Sequence, residues 1–182
     1  MTGPDEGAYL QPMMRFNRYR YVGPAEILAR RSTPVGIVIA DTRDRLERWL
    51  GDRHAAGIVE PDTFVVDLRG TLRLAPRQSE HVACAGGQEV LAAGEITFAA
   101  GAAGYAVQAV SNQSTGYCPD PDCWPAVAAA LDRLRIAHPG GFTDALTFRL
   151  CIACGERNVV RDDDFVCALC GCALPAHWNF PG

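Results

Sequence analysis

Four cysteines near the C-terminal end carry the strongest chemical signal in the chain: Cys151-x2-Cys154-x12-Cys167-x2-Cys170. Two Cys-x-x-Cys pairs separated by a hairpin-length insert are the pattern of a four-thiolate zinc site. Each pair can turn tightly enough to aim two sulfurs at one point. The residue after the second cysteine of such a turn favours a left-handed backbone, and Gly155 and Gly171 occupy both such places. No histidine or acid belongs to the ligand set, so the zinc is expected to be structural, with no position left open for water or substrate. Zinc would supply, on the order of 10 kcal/mol apparent, the folding energy that so short a segment cannot supply by burial. Cys172 is a spare thiol beside the second pair. A second metal site is a weaker expectation: His81-x2-Cys84 and Cys118-x4-Cys123 would give one imidazole and three thiols. Its alternative is that these are small buried residues.

The other chemically dense stretch runs from His81 to Tyr117. His81 stands ahead of Gly86-Gly87, Glu95 opens a strand after Ala92-Ala93-Gly94, and a later strand ends in Ser111-Asn112-Gln113-Ser114-Thr115 before Gly116-Tyr117. Strand ends that release polar residues into loops often line sites. In a binding reading, His81, Asn112, Gln113, Ser114 and Tyr117 line a ligand groove. In an enzyme reading, His81 orients a ribose, Glu95 is the general acid or base and Tyr117 stacks on a ring. The competing reading is turn chemistry, with Asn and Ser ending strands and Tyr117 packing with its hydroxyl at the surface.

The elements that position these residues follow from periodicity. Val35–Ala40 reads as a buried strand, followed by a helix capped at Asp41 or Thr42, running from Arg43 to Leu50 and stopped by Gly51. Phe64–Leu68 and Thr71–Ala75 read as a hairpin across Arg69-Gly70, and Val90–Phe98 and Tyr105–Ser111 as two strands around a turn at residues 99–104. Pro125 starts a second helix that runs to Ile136, and Leu146–Leu150 is a last strand leading into the cysteines. Between the cysteine pairs, residues 158–161 and 165–167 are expected to pair around Asp162-Asp163-Asp164. The fold class is therefore α+β: a mostly antiparallel β core with two helices over residues 1–148, and a small four-cysteine zinc ribbon over 149–182.

The order of these features resembles the core domain of the plant IQ-motif-containing calmodulin-binding proteins and related bacterial domains. That family places an FV-x-S strand and a Leu-Tyr strand before His-Ser-Ser-Phe, then a Gly-Gly pair, an Ala-Ala-Gly strand start and Ser-Gly-His-Tyr-x-Pro before a helix. Phe64-Val65-Val66, Thr71-Leu72, His81, Gly86-Gly87, Ala92-Ala93-Gly94, Ser114, Tyr117 and Pro119 stand in those places, over residues 64–136. The family's second histidine is Gly116 here, Val82-Ala83-Cys84 replaces Ser-Ser-Phe, and the zinc ribbon is foreign to the plant proteins. No IQ motif is present, so calmodulin is not an expected partner. The resemblance implies a shared β-rich fold and pocket location, and no particular reaction.

Composition narrows the class. Hydrophobic residues make up 48% of the 182, enough for a core and too many for a disordered chain. The longest weakly polar stretch, residues 83–109, is broken by Gln88, Glu89, Glu95 and five glycines, so no membrane span is expected. Met1–Tyr9 carries Asp5 and Glu6 and no apolar run, which predicts no secretory leader and a reducing cytoplasm. Seventeen arginines with no lysine, in an Ala- and Gly-rich chain, point to a GC-rich bacterial genome. The net charge of −4 disfavours general nucleic-acid binding, although Arg15, Arg18 and Arg20 alternate with Phe16, Tyr19 and Tyr21 in a pattern that can stack bases. No GxSxG, HExxH, Walker or GxGxxG motif occurs.

Three functions follow. The first is a small cytosolic binding or adaptor protein with structural Zn2+ and a protein or small-molecule partner. The second is a transferase or hydrolase of a nucleotide or ADP-ribosyl substrate, and the third a nucleic-acid-binding zinc-ribbon protein. The tail from Leu174 to Pro181 carries aromatics that can dock on the core or on a partner.

Overall fold

A computed structural model describes residues 16–30 and 36–181. Residues 1–14, whose Gly3, Pro4 and Pro12 read in the sequence as a loose arm, lie outside them, as do Val35 and Arg15. The centre is a five-stranded antiparallel sheet of β1 (Val38–Ala40), β2 (Asp62–Asp67), β3 (Leu72–Pro76), β4 (Val90–Gly101) and β5 (Gly104–Ser111), in the order β1-β3-β2-β4-β5. β2 is central, and its residues Thr63 to Val66 are all buried, so both faces of the sheet are covered. The α+β class read from the pattern is the class observed.

Local chemistry explains the turns. Asp67 Oδ1 accepts the N–H groups of Arg69 (2.9 Å) and Thr71 (3.0 Å), while Gly70 supplies φ +76°. That closes the β2–β3 hairpin at the expected place. The turn between β4 and β5 is tighter than the anticipated loop over 99–104, because β4 continues to Gly101 and pairs it with Gly104.

Among the described residues there are four α-helices, two more than expected. α1 (Ala25–Arg30) and α3 (His81–Cys84) are too short to show a helical period. α2 (Arg43–Ala55) starts at the Thr42 side chain, which accepts from Arg45 N, and buries Leu46 and Leu50. It runs through Gly51, whose missing side chain faces open space, and stops at Gly57. There, Gly57 N donates to His54 O and Ile58 N to Arg53 O, the paired bonds of a Schellman ending with φ +69° at the glycine. Gly51 was a misleading stop because a glycine ends a helix only when the backbone turns left-handed there. Arg53 of α2 forms a nearly buried ion pair with Asp62 at the start of β2, tying helix to sheet.

α4 (Trp124–Arg133) buries Ala126, Val127, Ala130 and Leu131. It ends in a second Schellman pair, Arg135 N to Asp132 O and Ile136 N to Leu131 O, with Arg135 itself at φ +55°. The Arg/aromatic segment is irregular, touching the sheet through a single bridge between Tyr19 and Val90. Tyr19 is buried and Phe16 and Tyr21 pack against the core, whereas Arg18 and Arg20 are exposed.

The C-terminal part is a separate two-stranded sheet, β6 (Thr147–Leu150) with β7 (Arg157–Val160). Residues 157–160 therefore pair with the strand before the first cysteine turn, and not across the acidic turn with 165–167 as anticipated. Only a bridge between Arg161 and Asp164 spans that turn. The tail docks on this protein's own core: Trp178 Nε1 donates to Cys118 O (2.8 Å), its ring stands edge-on to Tyr19, and Phe180 is buried beside Cys118 and Phe148.

Candidate functional site

The two cysteine turns are built alike. In the first, Gly155 N donates to Cys151 O and Cys151 N to Glu156 O; in the second, Gly171 N donates to Cys167 O and Cys167 N to Cys172 O. Gly155 and Gly171 adopt φ +76° and +72°, the left-handed turn expected of them. The sulfurs of Cys151, Cys154, Cys167 and Cys170 all lie within 4.8 Å of one another, an arrangement that can hold a metal ion. The close approaches cross between turns: Cys151 to Cys170 and Cys154 to Cys167, both 3.6 Å.

The surroundings favour a thiolate at Cys167. The N–H groups of Cys170 and Leu169 are aimed at the Cys167 sulfur and hold its pKa down at about 6. Asn158 adds a side-chain contact to the same sulfur (3.6 Å) while its own Oδ1 accepts from Ala168 N and its Nδ2 donates to Glu156 O. This buried asparagine links both turns to the ion site, the role of an outer-shell partner. Nothing in the sequence marked it beyond a polar residue interrupting an apolar strand.

Two arginines tie the ribbon to the core and an asparagine ties it to its own tail, and sequence reasoning assigned none of them that task. Arg157 Nη1 donates to Val22 O (3.2 Å) and Thr115 O (2.7 Å). Arg149 is buried, donates to Pro175 O and Ala176 O, and lies 3.7 Å from the Asp120 carboxylate. Asn179 clasps Leu150, accepting from its N–H (2.9 Å) and donating to its C=O (2.7 Å).

The residues of the His81–Tyr117 segment are placed as follows. His81 opens α3, and its Nε2 meets Gly94 O at 2.9 Å. His81 is partly buried, and the desolvation of its ring pushes its pKa down to about 4, against the pull of that carbonyl. The imidazole is therefore neutral at pH 7, with Nε2 the donor. Asn112 is fully buried and mimics a strand for Leu146, accepting from its N–H and donating to its C=O, with a further bond to Pro119 O. The Tyr117 hydroxyl donates to Gln88 O at 2.7 Å, and its ring packs edge-on to Tyr21. Ser114 is buried, with its hydroxyl unpaired among the described residues. Gln113 is exposed. Glu95 lies between Thr63 and Ser111 on neighbouring strands, so these three share a face. The segment thus joins His81 to β4 and Asn112 to the residue before β6 through backbone partners.

Gly116, where the resembled family has histidine, lies under the Tyr21 ring: a Cβ there would stand 2.7 Å from Cε2. Of the second metal constellation, Cys84 and Cys123 belong to the main core and Cys118 to the cluster with Phe148 and Phe180. Burial raises the pKa of Cys84 and Cys118 to about 12. Among the described residues, the potential metal-ligating group that comes together is the four-cysteine one.

A cleft of about 430 Å³ opens at the junction of core and ribbon, bounded by Arg20 to Pro24, Leu150, Gly155, Arg157 and the Phe180-Pro181 end. A second groove of about 400 Å³ runs between β1 and α2 beside Trp49. No described helix is long and apolar enough to cross a membrane. No family of known proteins, no curated protein and no solved structure matches this chain.

Proposed function

We propose that this chain is a binding protein of the reducing cytoplasm, in which a structural zinc ion holds the C-terminal ribbon as a fixed wall against a β-rich core. The observation that carries the reading is the closed set of four protein sulfurs. Four thiolates at about 2.3 Å around a tetrahedral ion stand about 3.8 Å apart, and the two cross-turn separations are 3.6 Å. An all-thiolate tetrahedral set suits zinc, which loaded there organises the turns and leaves no coordination position for a substrate.

Two observations favour binding over turnover and over nucleic acid. The His81 imidazole and the Tyr117 hydroxyl are already engaged by backbone carbonyls, which suits support of a site better than acid–base work at it. The aromatics of the Arg-rich segment face the core instead of forming a stacking surface. The likeness of residues 64–136 to the plant calmodulin-binding proteins' core domain is part of the same proposal, supported by the order of His81, Gly86-Gly87, Gly94 and Tyr117.

The test is metal analysis followed by a ligand screen. Protein purified without added metal should carry one zinc per chain, and cobalt substitution should give the absorption of a tetrahedral tetrathiolate. Protein that is folded but metal-free, or that holds iron, sinks the zinc reading. Thermal unfolding against nucleotides, NAD and ADP-ribose follows; a ligand at about 100 times its Kd adds about 2.7 kcal/mol. Chemical turnover of any stabilising compound would overturn the binding assignment.

A further inference from the structure

The cleft between the core and the first cysteine turn leaves positive charge unanswered. Among the described residues its lining holds two guanidinium groups and no carboxylate, in a chain whose net charge is −4. Arg157 is half-buried, and its Nη1 is spent on Val22 O and Thr115 O. That fixes the guanidinium plane and leaves Nε and Nη2 without an acceptor among the described residues. Arg20, exposed and also lining the cleft, has no partner among them either. Glu26 and Glu80 are near enough to Tyr21 to raise its pKa, yet neither lines the cleft nor pairs with these arginines.

The site is also rigid. Leu150 is held at both its N–H and C=O by Asn179, and Phe180 is wedged into the cluster with Phe148. The volume of about 430 Å³ is that of a small-molecule site. A half-buried guanidinium with a free edge is a bidentate oxyanion receptor. One such group beside a second, exposed guanidinium favours a dianion; a phosphate monoester carries close to two charges at pH 7 and a carboxylate one.

We propose that this cleft binds the phosphate group of a small organic phosphate, held by the free edge of Arg157 and by Arg20, with its organic part against Leu150 and Pro181. The inference rests on the metal-held ribbon, because Leu150 and Arg157 belong to it.

The test is a titration of the full-length, zinc-assayed protein with phenyl phosphate, inorganic phosphate and benzoate, followed by NMR at the Gly23 and Gly155 amides and the Arg157 Nε–H. The expected result is a saturable shift with phenyl phosphate, about tenfold weaker with benzoate and about tenfold weaker again for phenyl phosphate in Arg20→Gln. Arg20 makes no bond to the described residues, so that variant should remain native. Arg157→Lys keeps the charge and loses the fork, and should bind at least about tenfold more weakly than wild type. No saturable shift up to ~10 mM phenyl phosphate, equal affinity for benzoate, or unchanged affinity in Arg20→Gln overturns the proposal. Zinc content of the same sample keeps the two readings apart: full zinc with no shift sinks the cleft alone, whereas missing zinc sinks the ribbon reading whatever the titration gives.

Discussion

Replacing Cys154 with serine should unfold the ribbon locally and leave the five-stranded sheet standing. Cys154 is exposed, so the change removes almost no buried surface, and its effect reads the metal bond alone. Structural zinc contributes about 10–16 kcal/mol in small modules, so an even split assigns about 3 kcal/mol to each thiolate, about a hundredfold in zinc affinity. The knuckle end of the ribbon, away from the Phe148–Phe180 cluster, has little else to hold it. Its own buried cluster is Cys151, Cys167 and Leu174, with Val160 and Phe165 partly covered. Two of the three buried members belong to the four-sulfur cluster, and burying Leu174 is worth about 2–3 kcal/mol. The sheet, by contrast, shares a core whose buried members run from Tyr19 to Ile136, with Trp178 of the tail packed against it from outside. Hydrogen exchange separates the two. In Cys154→Ser, or in wild type with a chelator, the amides of Gly155, Cys167, Gly171 and Leu174 should lose protection while those of β2 and β4 keep it. Cys172→Ser removes a thiol equally exposed but outside the cluster, and should change nothing. Ribbon amides that stay protected without metal, or a Cys172 variant as damaging as the Cys154 one, would refute the reasoning.

Other consequences follow from single groups. His81 has a pKa of about 4 in the fold, below its ordinary 6.5, so the fold favours the neutral ring. Its contribution is complete above about pH 6.5 and is lost as pH falls towards 4, about 3 kcal/mol in all; urea melts across that range should be flatter in His81→Gln, which keeps a donor for Gly94 O. Arg135→Gly should stabilise by about 1 kcal/mol in thermal melts, because the helix-ending position is left-handed at φ +55°. Asp62→Ala should cost about 3–5 kcal/mol in chemical denaturation, since it strands Arg53 as a nearly buried charge.

The parts of the fold that could be read from the chain are those where one local rule suffices. The β2–β3 hairpin needs a turn residue at Gly70, and the amphipathic helix at Trp124 needs Pro125 and a helical stripe. The cysteine turns need only their spacing and two glycines. What stayed hidden depends on partners distant in sequence. Residues 157–160 had a plausible neighbour across the acidic turn, and the pairing with 147–150 prevailed. The two-residue span of Asp162 and Asp163, both at positive φ, reverses the chain with only a bridge beyond it. Gly51 and Gly57 show the same limit: both are glycines near a helix end, and only the position from which the chain must turn back distinguishes them.

The polar residues between His81 and Tyr117 show how an apparent site motif arises from the needs of a junction. Gly94 is required because its absent Cβ would fall 1.9 Å from Ser111 O, with the Phe64 ring at 2.9 Å. Gly94→Ala should accordingly destabilise by about 3 kcal/mol or more, since the obstructing atom is backbone and cannot swing away. Gly116 is bare so that Tyr21 can lie on it, and Asn112 supplies strand-like bonds to Leu146, the residue just before the ribbon sheet. Glycine at close approaches and asparagine as a substitute peptide are the same residue types that line ligand sites, which is why composition cannot separate the two uses. The discriminating feature is whether the polar atoms are already spent. Those of His81, Asn112 and Tyr117 have protein acceptors; the outer edge of Arg157, an arginine that carried no motif, has none among the described residues. Unspent donors beside a rigid cleft, and not density of polar residues, locate the place where this fold can take a ligand.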